Sequence, residues 1–314
     1  MSVLITGSTG FIGRRLLKKL SEGDDVIALT RRDCIPQHGT KRIKCDLTDE
    51  RSVENAICGL KRIDVVYHLA ANLDESDKNV YRENVAMTKN LIEACRKKGV
   101  KQLIFLSSIG VLGESFQPLK EDDPYNPETP YEKSKRDCER IIMNSGINYT
   151  IVRAPVIAGP NRFWKKIIDA AKRGYPLVGS GENYFHIAYI DDVIELLLLV
   201  KNNERCFNQI FHIACKDART YRETYELILK YLSVKRKMVK VPKIFVLTLS
   251  YLYEFACKAL GKRPNVTLMS SSIKRLTRNR IVSTEKVKTL LNFEPKFTTE
   301  EAIRKTVEAI LSES

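Results

Sequence analysis

The stretch that decides the fold is Val3-Leu4-Ile5-Thr6-Gly7-Ser8-Thr9-Gly10-Phe11-Ile12-Gly13, close to the start of the chain. A short run typical of a buried strand leads into three glycines, and the helix-like segment Arg14–Leu20 follows them. In such a strand–turn–helix unit, Gly7 permits a tight turn, Gly10 lets the backbone approach a ligand, and Gly13 allows the helix to pack closely on the sheet. The N-terminus of a helix favours negative charge, so this unit predicts a pyrophosphate-binding site.

Strand-like and helix-like segments alternate through the first half of the chain. We expect strands at Val26–Thr30, Arg42–Cys45, Ile63–Leu69, Gln102–Ser107 and Asn148–Arg153, and helices near Glu50–Cys58, Asn84–Lys98 and Tyr131–Ser145. This alternation predicts an α/β fold with a doubly wound parallel sheet, a Rossmann domain, that binds its ligand beyond the carboxyl ends of the strands.

After Pro155 the pattern loosens, although a helix at Phe163–Arg173 and a strand at Gln209–Ala214 are still expected. We interpret the pair Asp191-Asp192 as the cap of a helix that runs through Val200. The predicted division assigns residues 1–155 plus roughly 189–215 to the dinucleotide-binding domain. A smaller, mainly helical C-terminal substrate lobe then comprises roughly 156–188 plus 216–314.

Composition limits the class of protein. The chain has 314 residues, 43% of them hydrophobic, and a net charge of +15. Its cysteines form no C-x-x-C pair and its four histidines are scattered, so we expect reduced thiols, no metal site and a cytoplasmic protein without a signal peptide. The cysteines lie at positions 34, 45, 58, 95, 138, 206, 215 and 257, and the histidines at 38, 68, 186 and 212. Glu195 and Glu254 interrupt the best candidates for membrane-spanning segments.

Two basic residues bear on the choice of dinucleotide. Arg31 and Arg32 follow the second predicted strand, close to twenty residues past Gly13, where an acidic residue would bind a ribose 2′-hydroxyl. Guanidinium groups suit a 2′-phosphate instead, so we expect NADP(H) to be favoured, with NAD(H) still open. Asp46, after the third strand, suits either an adenine amine or the cap of a helix.

The segment Tyr131-Glu132-Lys133-Ser134-Lys135 places a tyrosine and a lysine on one face of a predicted helix. A free tyrosine has a pKa of about 10, and an ammonium group one turn away stabilises the phenolate. We therefore expect Lys135 to lower the pKa of Tyr131. Ser107-Ser108 ends a strand at the same sheet edge, where a serine hydroxyl can bind the substrate oxygen while the tyrosine transfers a proton.

Together these motifs resemble the extended short-chain dehydrogenase/reductase superfamily, also called the NAD-dependent epimerase/dehydratase family. The resemblance extends over nearly the whole chain, through Thr6–Gly13, Asp46-Leu47, His68–Ala71, Asn84, Ser107–Gly113, Tyr131–Lys135, Arg153–Pro160 and Tyr189–Asp192. It implies that Ser108 is the catalytic serine, Tyr131 the proton donor or acceptor, and Lys135 its activator. It further implies hydride transfer at nicotinamide C4, with the cofactor bound by Gly7, Thr9, Gly10, Phe11, Ile12, Gly13, Arg31, Arg32, Asp46, Leu47, Leu69, Ala70, Ala71, Ser107, Tyr131, Lys135, Ala154 and Pro155.

Departures from the family pattern bear on the substrate. Sugar-nucleotide members commonly place an arginine within the stretch that here reads Asn183-Tyr184-Phe185-His186, and a tyrosine where this chain has Ala158. The tail, with Pro242, an apolar helix and Gly261–Thr267, is similar to 3β-hydroxysteroid-dehydrogenase-like and dihydroflavonol-reductase-like members. We therefore favour a secondary alcohol or ketone on a hydrophobic or carrier-linked substrate. A nucleotide-sugar epimerase or dehydratase with tightly bound NAD is the alternative, and a non-catalytic cofactor-sensing regulator a minor one.

Most of the excess charge lies in one segment. Between residues 230 and 280 there are thirteen Lys and Arg residues against one acidic residue, Glu254, and apolar residues are interspersed with them. Three interpretations stay open: peripheral contact with an anionic membrane surface, binding of an anionic carrier such as coenzyme A or of the diphosphate of a nucleotide, or a helix that packs the lobe and has a solvated rim. We expect a small-molecule substrate and no nucleic acid, because no module that reads nucleic acid is present. A homodimer also stays open.

Overall fold

A computed structural model describes residues 1–32, 39–236 and 238–313. Its central element is a seven-stranded sheet in which all neighbouring strands are parallel, in the order β11-β7-β5-β4-β1-β2-β3. These strands are β1 (Ser2–Thr6), β2 (Asp25–Thr30), β3 (Lys41–Lys44), β4 (Val65–His68), β5 (Gln102–Ser108), β7 (Tyr149–Ala154) and β11 (Gln209–His212). The strand order reverses between β1 and β4, which is where a doubly wound sheet opens its binding crevice.

Helices cover both faces of this sheet and continue into the C-terminal part of the chain. They are α1 (Phe11–Leu20), α2 (Glu50–Cys58), α3 (Val80–Lys98), α4 (Pro130–Met143), α5 (Arg162–Arg173), α6 (Ile190–Leu199), α7 (Tyr221–Tyr231), α8 (Lys243–Ala259), α9 (Ser270–Thr277), α10 (Glu285–Leu291) and α11 (Thr299–Ser312). Short parallel strand pairs lie outside the main sheet, namely β8 (Val156–Ala158) with β10 (Ile187–Tyr189), β9 (Leu177–Val178) with β12 (Lys240–Val241), and β6 (Pro118–Leu119) with β13 (Ile281–Val282).

The strands of the main sheet divide their apolar side chains between two cores. Along β1, Val3 and Ile5 belong to the core that includes α1 and α6, whereas Leu4 belongs to the core that includes α2 and α3. This alternation follows from the two-residue period of a strand. Because both faces are covered, central strands such as β1, β4 and β5 are rich in buried apolar residues, and that pattern allowed their prediction from the sequence, whereas the edge strand β3 is mostly basic.

The predicted fold class is confirmed, and the predicted helix at Glu50–Cys58 has the bounds seen in the structure. The predicted strand after residue 208 does return to the sheet, as edge strand β11 beside β7. The cap assigned to Asp191-Asp192 is wrong, because Tyr189 is the N-cap residue of α6 and makes no side-chain capping bond. Asp192 is instead buried and accepts hydrogen bonds from the backbone N–H groups of Lys296 (2.9 Å) and Phe297 (3.3 Å).

Some sequence-based statements are only partly covered by the structure. The predicted division into two domains stays a prediction. Cys34, His38 and Lys237 lie outside the described residues, and the seven cysteines that are described are all free. Within the described ranges, no helix combines the length and the apolar character needed to cross a bilayer.

Candidate active site

The glycine loop connects β1 to α1 at the carboxyl edge of the sheet, beside the crevice between β1 and β4. Gly7 has a φ of +71°, and a Cβ atom there would lie 2.7 Å from the backbone nitrogen of Ala70. At Gly13, a Cβ would lie 2.1 Å from the carbonyl oxygen of Gly7. Both positions therefore require glycine, and the contact at Gly13 brings α1 close to the loop.

The N-terminus of α1 suits an anionic group. Gly10 is its N-cap residue, no side chain caps the helix, and its first turn contains no acidic residue. The first N–H groups of a helix have no partner within it, so those of Phe11 and Ile12 can bind phosphate oxygens. Among the described residues, a Cβ at Gly10 would meet only the Gly7 carbonyl oxygen, at 3.2 Å, which leaves the outer side of the loop open to a ligand. These residues fit a dinucleotide.

The side chain of Phe11 takes part in packing. Its ring lies under the Arg15 guanidinium, 4.5 Å from the ring centroid, and a Cβ at Gly159 would lie 2.6 Å from its Cζ atom. The side chain of Leu47 is likewise buried in the core. Of the predicted cofactor residues, Phe11 and Leu47 therefore have mainly their backbone groups to offer a ligand.

A buried hydrogen-bond chain supports the floor of the crevice. Thr6 Oγ1 accepts from the N–H groups of Leu69 and Ala70 (3.2 Å each) and lies 3.0 Å from His68 Nδ1. His68 Nε2 lies 3.0 Å from the hydroxyl of Thr88. Burial, and secondarily the charge of Lys135, lowers the pKa of His68 to about 3, so the imidazole is neutral and structural.

The other predicted cofactor residues also lie where strands end. Leu69, Ala70 and Ala71 follow β4, and Ser107 and Ala154 close the neighbouring strands β5 and β7. Pro155 comes next after β7. The hydroxyl of Ser107 is buried and has no hydrogen-bond partner in the described part of the chain, so it is available to a ligand.

Arg31 and Arg32 are exposed where β2 ends. The pKa of Asp46 is lowered mainly by hydrogen bonds from the Thr48 N–H and hydroxyl groups, and further by the charge of Arg31, which places Arg31 near this carboxylate. The helix cap that we considered for Asp46 is absent, because Asp49 is the N-cap residue of α2. The Asp46 carboxylate instead accepts hydrogen bonds from Thr48, two residues later, and so stabilises a local turn.

Helix α4 carries the predicted catalytic pair. The buried ammonium group of Lys135 donates a hydrogen bond to the carbonyl oxygen of Leu106 (2.8 Å), two residues before Ser108. It lies 4.4 Å from the ring centroid of Phe105 and 6.0 Å from that of Tyr131. The structure therefore brings Tyr131 and Lys135 to the strand that ends at Ser108.

The pKa values in this pair differ from our expectation for Tyr131. Burial raises the pKa of its phenol above the ordinary value, and the largest opposing influence is the charge of Arg275 rather than that of Lys135. The ammonium group of Lys135 is directed at the Leu106 carbonyl, and burial lowers its own pKa to about 8. The expected lowering of the Tyr131 pKa by Lys135 is therefore wrong.

Asn84 connects α4 to the crevice. Its amide donates to the hydroxyl of Ser134 and to the carbonyl oxygen of Asn72 (3.0 Å each), and its carbonyl oxygen accepts from the Asn72 N–H group (2.7 Å). The hydroxyl of Ser134 in turn donates to the backbone oxygen of Tyr131 (2.7 Å). One buried side chain thus fixes the loop after β4 relative to the residue that carries the phenol.

Glu132 ties α4 to the C-terminal part of the chain. Its carboxylate accepts from Arg278 (2.9 Å) and Arg280 (2.8 Å), and from the N–H group of Thr129 in a capping box (3.1 Å). Burial would raise the pKa of this carboxyl, but Arg280 and Arg278 outweigh burial and hold the pKa below its ordinary value. We call Glu132, Arg278 and Arg280 the arginine clasp.

A further arginine reaches the site from α9. Arg275 pairs with the buried Glu75 (Nη2 to Oε1, 3.0 Å), and both side chains influence the pKa of Tyr131. The sequence analysis missed Glu75, Arg275 and the arginine clasp. The sequence Thr129-Pro130-Tyr131-Glu132 does carry a capping-box signal, which could have identified Glu132 as an anchored residue.

Residues 3–214 match the model of a known family, the NAD dependent epimerase/dehydratase family. The chain belongs to that family. The prediction made from the motifs is thereby confirmed, and the chain is an NAD(P)-dependent enzyme of the extended short-chain dehydrogenase/reductase type.

Relatives of this epimerase/dehydratase family member are named both as dehydrogenases and as epimerases. It is 28% identical to "3beta-hydroxysteroid-dehydrogenase/decarboxylase isoform 1" of Arabidopsis thaliana, over 85% of this chain and 67% of the relative. It is also 28% identical to the UDP-glucose 4-epimerase of Vibrio cholerae, over 99% of this chain and 95% of that protein. A solved UDP-glucose 4-epimerase of Thermotoga maritima superposes with a TM-score of 0.79 at 24% identity, covering 100% of this chain and 99% of that one, which shows the shared fold.

Replacing Glu132 by glutamine tests the arginine clasp. Among the described residues, the variant leaves Arg280 without a carboxylate partner and leaves the buried Arg278 with only the exposed Glu128, so we expect the free energy of unfolding to fall by roughly 3–5 kcal/mol. Because the folded-state pKa of Glu132 is lowered, its contribution is present above the ordinary pKa of about 4.3 and is lost as the pH falls through the folded value. Denaturant titration at neutral and acid pH measures both effects.

Glu128→Gln is the matched control, since Glu128 also pairs with Arg278 (2.5 Å) but is 40% exposed. We expect a change within about 1 kcal/mol for this variant. The account of the arginine clasp would be contradicted if both variants lowered the free energy of unfolding equally. It would also be contradicted if the destabilisation by Glu132→Gln were as large at acid pH as at neutral pH.

Proposed function

We propose that this family member is an NADP(H)-preferring oxidoreductase that interconverts a secondary alcohol and a ketone. The observation that carries the proposal is the position of α4, which brings Tyr131 and Lys135 to the strand ending at Ser108, beside the glycine loop. A site that only sensed the cofactor would not require a phenol, an ammonium group and a hydroxyl at this sheet edge.

In the proposed reaction, the chain's own groups bind the substrate oxygen and move its proton. The glycine loop and the N-terminus of α1 hold the dinucleotide, which when bound supplies or accepts a hydride at nicotinamide C4. The Ser108 hydroxyl donates a hydrogen bond to the substrate oxygen, and the Tyr131 phenol exchanges a proton with it. Lys135 supplies positive charge on the inner side of Tyr131 and hydrogen-bonding capacity for the ribose.

The protonation state of Tyr131 favours reduction of a ketone. A raised pKa keeps the phenol protonated, and a protonated phenol is a proton donor. The charge of Arg275 opposes the effect of burial on Tyr131 and so stabilises the phenolate that remains after proton transfer. Neighbouring positive charge lowers the free energy of that anion.

The preference for NADP(H) is supported by the exposed pair Arg31 and Arg32 at the end of β2. Arg31 lies near Asp46, and in a doubly wound sheet this region faces the adenosine ribose. A guanidinium group matches a 2′-phosphate in charge and geometry.

A hydrophobic or carrier-linked substrate is supported by two features. The Arabidopsis relative named a 3beta-hydroxysteroid dehydrogenase aligns over 85% of the chain. In addition, the amide of Asn183 binds the carbonyl oxygens of Leu276 and Arg278 (3.0 Å each), so this residue has a structural role in the stretch where sugar-nucleotide members commonly place an arginine. In the same way, the buried Ala158 offers no hydroxyl at the position where those members commonly have a tyrosine.

A nucleotide-sugar epimerase with tightly bound NAD is the second candidate. It is favoured by the similarity to the Vibrio cholerae UDP-glucose 4-epimerase over 99% of the chain. Such an enzyme would release NAD on denaturation and would leave no net change in added cofactor.

Tyr131→Phe tests the proton-transfer role. We expect kcat for ketone reduction to fall on the order of 10²–10⁴-fold, because general acid catalysis is lost, while cofactor affinity and thermal stability stay unchanged. Reduction of a panel of long-chain and polycyclic ketones, followed through the absorbance of reduced nicotinamide, measures kcat. Tyr81→Phe is the matched control, since its hydroxyl binds Asp137 of α4 (2.7 Å) at the surface. Wild-type turnover by Tyr131→Phe would refute the role of the phenol.

Arg31→Asp tests the choice of dinucleotide. Loss of a charged hydrogen bond to the 2′-phosphate is worth about 1.5–3 kcal/mol, so we expect NADP affinity to fall roughly 10–100-fold while NAD affinity is unchanged or rises. Calorimetric titration with both dinucleotides measures the ratio. Lys18→Asp, an equal charge change on the exposed side of α1, should leave the ratio unaltered. If both variants shift the ratio equally, the proposed contact with Arg31 fails.

A further inference from the structure

Helix α8 is amphipathic in the reverse of the usual sense. Its large apolar side chains face away from the protein, with Ile244 80% exposed, Phe255 73% and Leu252 60%. Phe245, Leu249 and Tyr251 on the helix are also exposed, as is Leu260, which directly follows it. Helices on globular proteins normally bury such residues and expose polar ones. We call these seven side chains the α8 face.

The inward stripe of α8 carries small and polar residues. Ser250 and Cys257 are buried at helical spacing, and the carboxylate of Glu254 accepts a hydrogen bond from the N–H group of Ser270 (2.5 Å) at the start of α9. The hydroxyl of Tyr253 accepts from the N–H group of Asn265 (2.9 Å). These contacts determine which side of α8 packs against the rest of the protein. The α8 face therefore points outward.

Cations surround the α8 face. Lys243 starts the helix, Lys258 lies in its last turn, and Lys262 follows it. None of the three has an acidic group within 4.0 Å among residues 1–32, 39–236 and 238–313. By contrast, Arg275 and the arginine clasp, in the same basic segment, are paired with carboxylates inside the molecule. Lys243, Lys258 and Lys262 therefore belong to the part of the positive charge that no ion pair compensates within the described residues.

This combination selects an anionic lipid surface over a second copy of the chain. A symmetric dimer uses the same patch on both subunits, so it would bring the lysines around the α8 face close to their own copies. An anionic bilayer covers the apolar side chains and neutralises the lysines together. We propose that the α8 face docks peripherally on anionic lipid.

The position of α8 relates docking to the site. Helix α8 packs on α9, and α9 carries Arg275, which influences Tyr131. Docking therefore holds this side of the site at the bilayer, where a lipid-dissolved alcohol or ketone would be available. That consequence rests on the proposed function, whereas docking itself does not.

Cosedimentation of the full chain with vesicles tests docking without any measurement of activity. We expect binding to vesicles of phosphatidylcholine mixed with phosphatidylserine, weaker binding at high salt, and little binding to phosphatidylcholine alone. In Leu252→Asp/Phe255→Asp, binding should be lost. In Lys258→Gln/Lys262→Gln, the binding constant should fall about thirtyfold, since each cation near the surface contributes roughly fivefold.

The matched control is Leu311→Asp, at an exposed leucine on α11, which should bind like the wild type. All variants change exposed residues, and thermal melting confirms that each one folds. Absence of binding to phosphatidylserine vesicles, or equal binding by the wild type and both α8 variants, would overturn the proposal. A dimer in analytical ultracentrifugation that Leu252→Asp/Phe255→Asp dissociates would also overturn it in favour of a second copy. A docking protein without ketone reductase activity would refute only the proposed function.

Discussion

The anchoring of α4 is the constraint on which the site depends. Four buried side chains on this helix each bind a different part of the chain: Glu132 binds Arg278 and Arg280 after α9, Ser134 binds Asn84 of α3, Lys135 binds β5, and Glu139 binds Arg153 of β7. The pair Arg153 and Glu139 is almost fully buried, with Nη2 and Oε2 2.7 Å apart. Removing either charge leaves the other unpaired in the interior, which is costly. A shift of α4 would break all these contacts at once.

That constraint explains how two distant parts of the sequence form one site. The glycine loop is fixed at Gly7 and Gly13 by backbone contacts that exclude a side chain. The C-terminal segment brings Arg275 towards Tyr131 and holds α4 through the arginine clasp. The basic segment thus has two parts, because Arg275, Arg278 and Arg280 pair with carboxylates inside the molecule while Lys258 and Lys262 remain at the surface. The net charge of the segment alone does not distinguish the paired arginines from the surface lysines.

Much of the first half was predictable because its signals are local. Apolar runs predicted the central strands of the sheet, and the three glycines predicted a tight turn with close backbone contacts. The spacing of Tyr131 and Lys135 likewise predicted a shared helix face. The electrostatics were not predictable in the same way. The pKa of Tyr131 depends on burial and on Arg275, more than a hundred residues away in sequence, and no local pattern indicates such a contact. The predicted helix cap at Asp192 was wrong for the same reason, since its partners Lys296 and Phe297 are also more than a hundred residues away in sequence.

Transfer of a labelled hydride tests the central claim most directly. Reduced NADP that carries deuterium at nicotinamide C4 would be incubated with the enzyme and a panel of hydrophobic ketones, and the products analysed by mass spectrometry. The account predicts an alcohol with deuterium on its carbinol carbon. A panel that yields no labelled alcohol, alongside unlabelled epimerisation of a nucleotide sugar by the same preparation, would contradict it.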